Sequence, residues 1–110
     1  MRSWTSQLRK GVTELVVLAA LRQGEAYGYE LLQRINDIDG LSLTESTVYP
    51  LLARLKREQF VNVRAAPSPS GPPRRYYKLT STGRRRLRDM LEQWQAVGTA
   101  VELLTDGEPQ

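Results

Sequence analysis

Apolar residues recur at helical spacing in four stretches of the chain, and an alternating stretch separates the third from the fourth. From Ser6 to Gln23, the residues Leu8, Val12, Leu15, Val16 and Ala19 form one stripe. Val17, Leu18, Ala20 and Leu21 extend it round almost the whole circumference. A helix apolar on every side needs cover on every side. The first helix is therefore either the centre of the core or half of a contact with a second subunit. Gly24 is placed to cap it. In the second stretch, Tyr27 to Ile38, the residues Gly28, Leu31, Leu32 and Ile35 share a face at i, i+3, i+4 and i+7. Asn36 to Gly40 has turn chemistry. Leu41–Leu43 reads as a short bridge with the character of a small strand.

The third helix lies within LTESTVYPLLARLKREQF, Leu43 to Phe60. With Val48 at zero and about 100° per residue, Val48, Leu51, Leu52 and Leu55 fall on one face. Ser46, Tyr49, Pro50, Ala53, Arg54 and Arg57 fall opposite or beside it. Pro50 lies beyond the first helical position, where proline is at home. If Ser46 is the N-cap, only the first intrahelical bond is lost. Phe60 to Arg64 then alternates, with Val61 and Val63 on one side and Asn62 and Arg64 on the other. AAPSPSGPP, Ala65 to Pro73, is a loop without periodicity. Arg74 to Leu79 alternates again, with Tyr77 and Leu79 opposite Arg74, Tyr76 and Lys78. Two strands around a loop make a hairpin. A hairpin after a helix-turn-helix is a wing.

Thr80 is placed to cap a last helix. Along it Leu87, Trp94 and Val101 are seven apart, as are Met90, Val97 and Leu104. A heptad seam on a lone terminal helix usually pairs with another helix. The fold expected is mainly α with a small β-hairpin. Residues 1–79 form a winged helix-turn-helix DNA-binding domain, 80–105 a C-terminal dimerisation helix, and 106–110 a frayed tail. The first and last helices together point to a homodimer.

Composition narrows the chemistry. The 110 residues contain neither cysteine nor histidine. That excludes disulfides, thiolate sites, cysteine zinc sites and both Ser/His/Asp and Cys/His catalysis. Tyrosine, lysine and carboxylates are present, but no constellation of them converges, so neither an enzyme nor a cofactor is expected. No apolar run is long enough to span a bilayer, and Met1 to Lys10 lacks a long apolar core. The expected location is cytoplasmic, with no membrane partner. The net charge is +4 and the pI about 9.8. Eight of the 16 basic residues lie between Val61 and Arg88, with no Asp or Glu among them. A one-signed segment calls for an anion, and nucleic acid is the obvious one.

On this reading the third helix is the DNA-facing element. Its start carries Thr44, Ser46, Thr47 and Tyr49, groups that reach phosphate from a helix N-terminus. Arg54 or Arg57 adds phosphate or base contacts. The plainer alternative is that Thr44 or Ser46 only caps a helix. For the wing, the plainer alternative is a solvated hairpin. A different class of function, a protein-interaction module docking an acidic partner on the basic wing, is separated by Tyr49→Ala and Arg75→Ala, which abolish promoter binding only in a DNA-binding protein.

GEAYGYELLQRI, STVYPLLARLKRE and RRYYKLTSTGRRRL together resemble the PadR family of bacterial transcriptional regulators. The likeness runs over about residues 8 to 97 and looks most like the short subfamily without an extra C-terminal domain. It implies a winged-helix dimer held by its first and last helices. It also implies repression at an inverted-repeat operator, released by a small molecule. Carried over by motif, the DNA contacts fall on Tyr27 or Tyr29, Ser46, Thr47, Tyr49, Arg74, Arg75 and Lys78. Ser46 is a departure, since family members commonly have glycine there. Its side chain either blocks close approach to phosphate or adds a hydroxyl contact. Trp94, in LEQWQAV, resembles the tryptophan of a lactococcal multidrug-sensing member, where paired rings sandwich flat aromatic ligands. Leu8, Leu15, Leu87 and Leu91 would be the walls of such a slot. Stacking adds ~0.5–1.5 kcal/mol per aromatic pair beyond burial. The alternative is that Trp94 simply packs a dimer core.

Overall fold

The computed structural model describes residues 3–107. Four helices and three short strands follow one another as α1 (Trp4–Leu21), β1 (Ala26–Tyr27), α2 (Gly28–Asn36), α3 (Glu45–Arg57), β2 (Val61–Ala66), β3 (Arg74–Leu79) and α4 (Ser81–Thr105). The end of the expected tail, residues 108–110, lies outside the described residues. β3 is the middle strand of an antiparallel sheet ordered β1-β3-β2. Val61 pairs with Leu79 and Val63 with Tyr77, so the alternation read for the hairpin is the observed register.

The hairpin is not alone. β1 adds a third strand, with Ala26 opposite Tyr77 and Tyr27 opposite Tyr76. Two residues are too few for a period to show in sequence. The expected strand at Leu41–Leu43 is absent. The side chain of Asn36 does that work instead, donating Nδ2–H to the Leu43 carbonyl and accepting from the Leu43 amide, both at 2.9 Å. One side-chain amide thus mimics a strand neighbour and closes the turn between α2 and α3.

The core draws on every layer. Val17, Leu18 and Leu21 of α1, Leu31 and Ile35 of α2, Val48, Leu52 and Leu55 of α3, Val61 of β2 and Leu79 of β3 are buried together. Leu87 of α4 joins them. Thr80 Oγ1 accepts from the Gly83 amide at 2.9 Å, the expected cap of α4. A Cβ on buried Gly83 would overlap the Phe60 carbonyl oxygen, so this glycine lets α4 start directly against the end of α3. α3 stops in a paired closure. The Phe60 amide bonds to the Leu55 carbonyl at 2.9 Å and the Gln59 amide to Lys56 at 3.0 Å. Gln59 takes φ +65°, the position where such closures usually use glycine.

Candidate nucleic-acid interface

α3 begins two residues earlier than a Ser46 cap would place it. Thr44 is the N-cap and Glu45 the first helical residue. Ser46 is therefore inside the first turn, where its N–H is among those an α-helix leaves free. Its hydroxyl lies 2.9 Å from Thr44 Oγ1, which also reaches Thr47 Oγ1 at 3.3 Å. Three exposed hydroxyls thus cluster at the positive end of the helix. Pro50 sits six residues into α3, and the helix continues through it to Arg57.

Tyr49 leaves α3 on the outer side, 40% exposed. Its ring lies over the start of α2, where a Cβ on Gly28 would come within 2.7 Å of Tyr49 Cε1. Gly28 is thus the seat of a tyrosine, a role that apolar spacing alone does not reveal. Partial burial, with the Glu45 carboxylate and Tyr77 nearby, pushes the Tyr49 phenol above its ordinary value of 10.0. It stays protonated and able to donate at neutral pH. Tyr29, 55% exposed, accepts from Gln33 Nε2 at 2.9 Å.

An open groove of about 650 Å³ brings these pieces together. Tyr27, Gly28 and Tyr29 line it from α2 and its cap, Tyr49 from α3, and Arg74, Arg75 and Tyr77 from the wing. Arg74 stacks on the Tyr27 ring, its guanidinium carbon 4.3 Å from the centroid. Tyr27 meets Tyr76 edge to face at 5.5 Å. The Arg64 guanidinium covers Tyr76 at 4.6 Å. This ladder stiffens the wing on the strand face that carries Arg74, Tyr76 and, by alternation, Lys78. Beyond Tyr49 the groove continues past Ala53, Lys56, Arg57 and Arg75.

Two expectations change here. Arg54 does not line the groove with Arg57. It turns inward to Glu14 at 2.7 Å and to Glu58 at 2.9 Å. Lys56 takes its place on the groove side. A wheel centred on Tyr49 explains both: Lys56 falls about 20° from it and Arg54 about 140° away at 100° per residue. The one-signed segment is also less bare than its own composition implies. Arg64 is paired bidentately with Glu25, at 2.6 and 2.8 Å, and Arg86 with Glu14 at 2.9 Å. The acids come from outside the segment, so counting within it misses them. The hydrogen bonds from Arg64 hold the Glu25 carboxyl below its usual range.

On the opposite side, a pocket of about 380 Å³ lies between α1 and α2 under Trp94. Leu8, Leu15 and Trp94 line it as expected. Leu87 and Leu91 do not. Leu87 is in the core, and Leu91 packs against it, half-buried. Leu87 and Trp94 share a helix face but stand ~10 Å apart along the axis, at 1.5 Å per residue. The missing wall comes from α2 and its turn, through Ile35, Ile38 and Leu41. Arg9 and Arg34 also line the pocket, without any carboxylate. Arg9 Nε is buried and has no hydrogen-bond partner among the described residues. Arg34 donates to the carbonyls of Ala20 and Gly24.

The sequence profile of the transcriptional regulator PadR-like family matches residues 17–89. The chain belongs to that family. The crystal structure of a PadR-like transcriptional regulator from Bacillus cereus superposes with a TM-score of 0.80 at 36% identity, over 93% of this chain and 99% of that one. The structure of Bacillus subtilis PadR in complex with operator DNA superposes with a TM-score of 0.68 at 30% identity, over 73% of this chain and 46% of that one. In sequence, the negative transcriptional regulator PadR of B. subtilis is 29% identical over 93 residues, about half (51%) of its length. The architecture is the family's winged-helix DNA-binding fold, and the family is one of regulators rather than enzymes. None of the described helices is long and apolar enough to cross a membrane.

Proposed function

We propose that this PadR-like regulator is a dimeric repressor that binds an inverted-repeat operator. The observation that carries the reading is the groove shared by the α2 cap, α3 and the wing. It gathers Tyr27, Tyr29, Tyr49, Arg74 and Arg75 beside a hydroxyl-tipped helix start. α3 enters the major groove. Thr44, Ser46 and Thr47 donate to phosphate at its positive end, which favours the hydroxyl-contact role for Ser46. Tyr49 donates from its phenol, and Lys56 and Arg57 follow the backbone. The wing's Arg75 grips the flanking strand, with Lys78 nearer the base of the hairpin.

The second copy joins through α1 and the outer half of α4. Trp94, Val97, Val101 and Leu104 are about half exposed or more in the single chain. Two-fold symmetry then places the recognition helices one turn, ~34 Å, apart. A flat aromatic effector enters the pocket beside Trp94 and shifts that spacing. Two guanidinium groups and no carboxylate in the lining favour a neutral or anionic effector over a cationic one. Quenching of Trp94 fluorescence, read in a Trp4→Phe background, tests this arm with aromatic acids and aromatic cations side by side.

A gel shift on the DNA upstream of the protein's own gene tests the main reading. If ~6 phosphates are neutralised, affinity falls about 10³-fold between 50 and 200 mM salt. Tyr49→Ala and Arg75→Ala abolish the specific shift. A flat salt response, or full binding by both variants, refutes DNA recognition through this face.

A further inference from the structure

Glu14 lies midway along α1, and its carboxylate receives a guanidinium from each of two other helices. Arg54 of α3 donates Nη2–H to Oε1 at 2.7 Å, and Arg86 of α4 donates Nε–H to Oε2 at 2.9 Å. Both partners are themselves held. Arg54 Nη1 donates to both oxygens of Glu58, at 2.9 and 3.1 Å. The Arg86 guanidinium lies 5.2 Å from the centre of the Phe60 ring, at the end of α3. The Glu14 side chain is 15% exposed, whereas those of Arg54 and Arg86 are about 40% exposed.

Pairs this close to solvent add little to stability. Their geometry, in contrast, is restrictive. An N–H···O bond keeps its strength over only a few tenths of an ångström, and here both oxygens of one carboxylate are engaged from different elements. The core face of α3, formed by Val48, Leu52 and Leu55, supplies attraction without direction. Apolar contact of that kind tolerates a small slide or rotation of the helix. The triad does not.

We propose that Glu14 is a positioning residue that fixes the attitude of α3 to α4, and so sets the distance between the two recognition helices of the dimer. This rests on reading α3 as the DNA-facing helix and α4 as the dimer-forming one. Each α3 is tied through Glu14 to the helix that meets the second copy. A small error in its attitude is carried to the far half-site, where phosphate and base contacts are lost together. The three residues come from the early, middle and late parts of the chain, with Arg86 following Glu14 by 72 positions.

The test compares wild type, Glu14→Gln and Arg86→Gln on an inverted-repeat duplex selected from a random library with the wild-type protein. A second duplex carries the same half-sites with one base pair inserted between them, and a third is scrambled. The readout is the ratio of affinities for the native and inserted duplexes. This ratio cancels any effect common to all DNA, including the lost charge of Arg86. We expect it to fall about tenfold in both variants, a coupling of ordinary size between sites. Binding to the scrambled duplex stays within about twofold for Glu14→Gln. An unchanged ratio in both variants overturns the inference. So does an equal loss on all three duplexes, which would mean that the carboxylate only supports the fold. If Glu14→Gln does not fold, the exposed Arg86→Gln decides alone. Failure of the wild type to select any DNA refutes the reading of α3 itself, and is recognised before a variant is tried.

Discussion

The two halves of α4 lie on one helix, follow one heptad pattern and end in different surroundings. In the inner half, Gly83 is buried against the end of α3 and Leu87 is sealed in the core. In the outer half, Trp94, Val97, Val101, Leu103 and Leu104 face solvent, Leu104 at 85% exposure. The molecule is 61 Å long and only 31 by 23 Å across. The seam thus serves two purposes in succession. Its first turns complete a monomer core, and its later turns offer an apolar face that one chain leaves uncovered. Contiguous apolar surface of this kind marks an interaction site. Periodicity reports that a face is apolar; it does not report which molecule covers it.

The contrast is broken most severely at Gly83. Adding one methyl group drives it into the Phe60 carbonyl, which belongs to the backbone and cannot rotate away. Gly83→Ala is expected to cost more than ~3 kcal/mol, above the usual overpacking penalty. Urea unfolding of the variant measures it. In the outer half, the pair Val97→Ser and Val101→Ser leaves the monomer core untouched and acts on association. In a symmetric dimer the variant changes four side chains, each about half exposed in the single chain. Keeping them from burial costs about 3 kcal/mol together, raising the dimer dissociation constant on the order of 100-fold. Sedimentation across a concentration series would show it. An unchanged constant would mean that the outer face is not the dimer contact.

Glu14 ties the inner half of α4 to α3, through Arg86 and Arg54, and carries a pH signature. Burial alone would raise its pKa, but the hydrogen bonds from Arg86 and Arg54 outweigh it and hold the carboxyl below the ordinary value of 4.5. A lowered folded-state value stabilises the native protein above about pH 4.5. That contribution fades as the pH falls through the lowered value. With partners about 40% exposed, it is about 1 kcal/mol. The stability gap between wild type and Glu14→Gln should therefore be full at pH 7 and narrow as the pH falls below 4.5. A gap that is constant with pH would point to a packing effect instead.

Much of the fold is legible from the chain because its helices and hairpin carry their own periods. Val48, Leu52 and Leu55, the faces shared by Val61 with Val63 and by Tyr77 with Leu79, and the Thr80 cap all follow from spacing and residue type. What escaped is what depends on partners distant in sequence. β1 is strand-like only because β3 is there to pair with it. Asn36 replaces a strand through its side chain. Glu25 and Glu14 neutralise arginines 39 and 72 residues away. At the candidate interface, Tyr27, Tyr29, Tyr49, Arg74 and Arg75, singled out by motif, line one groove. Lys56 was within reach of the same wheel once Tyr49 rather than Val48 was taken as its centre. The seating of Tyr49 on Gly28 was not, because a glycine announces neither its conformation nor its neighbour.

The same substitution that breaks the inner half of α4 should strengthen the outer half. Gly98 lies within the helix, and a Cβ there meets nothing within 4 Å. Alanine in its place removes the entropic cost of an interior glycine, a gain of about 0.5–1 kcal/mol. Yet Gly98 falls four residues after Trp94 and three before Val101, on the uncovered face itself. In the single chain the expected sign is stabilising. Unfolding measured well below the association range should show a small increase for Gly98→Ala, against the large loss for Gly83→Ala. If that gain turns into a loss as the concentration rises, the partner helix crosses close to the backbone at Gly98. The face would then be a close-packed contact there rather than an open slot beside Trp94.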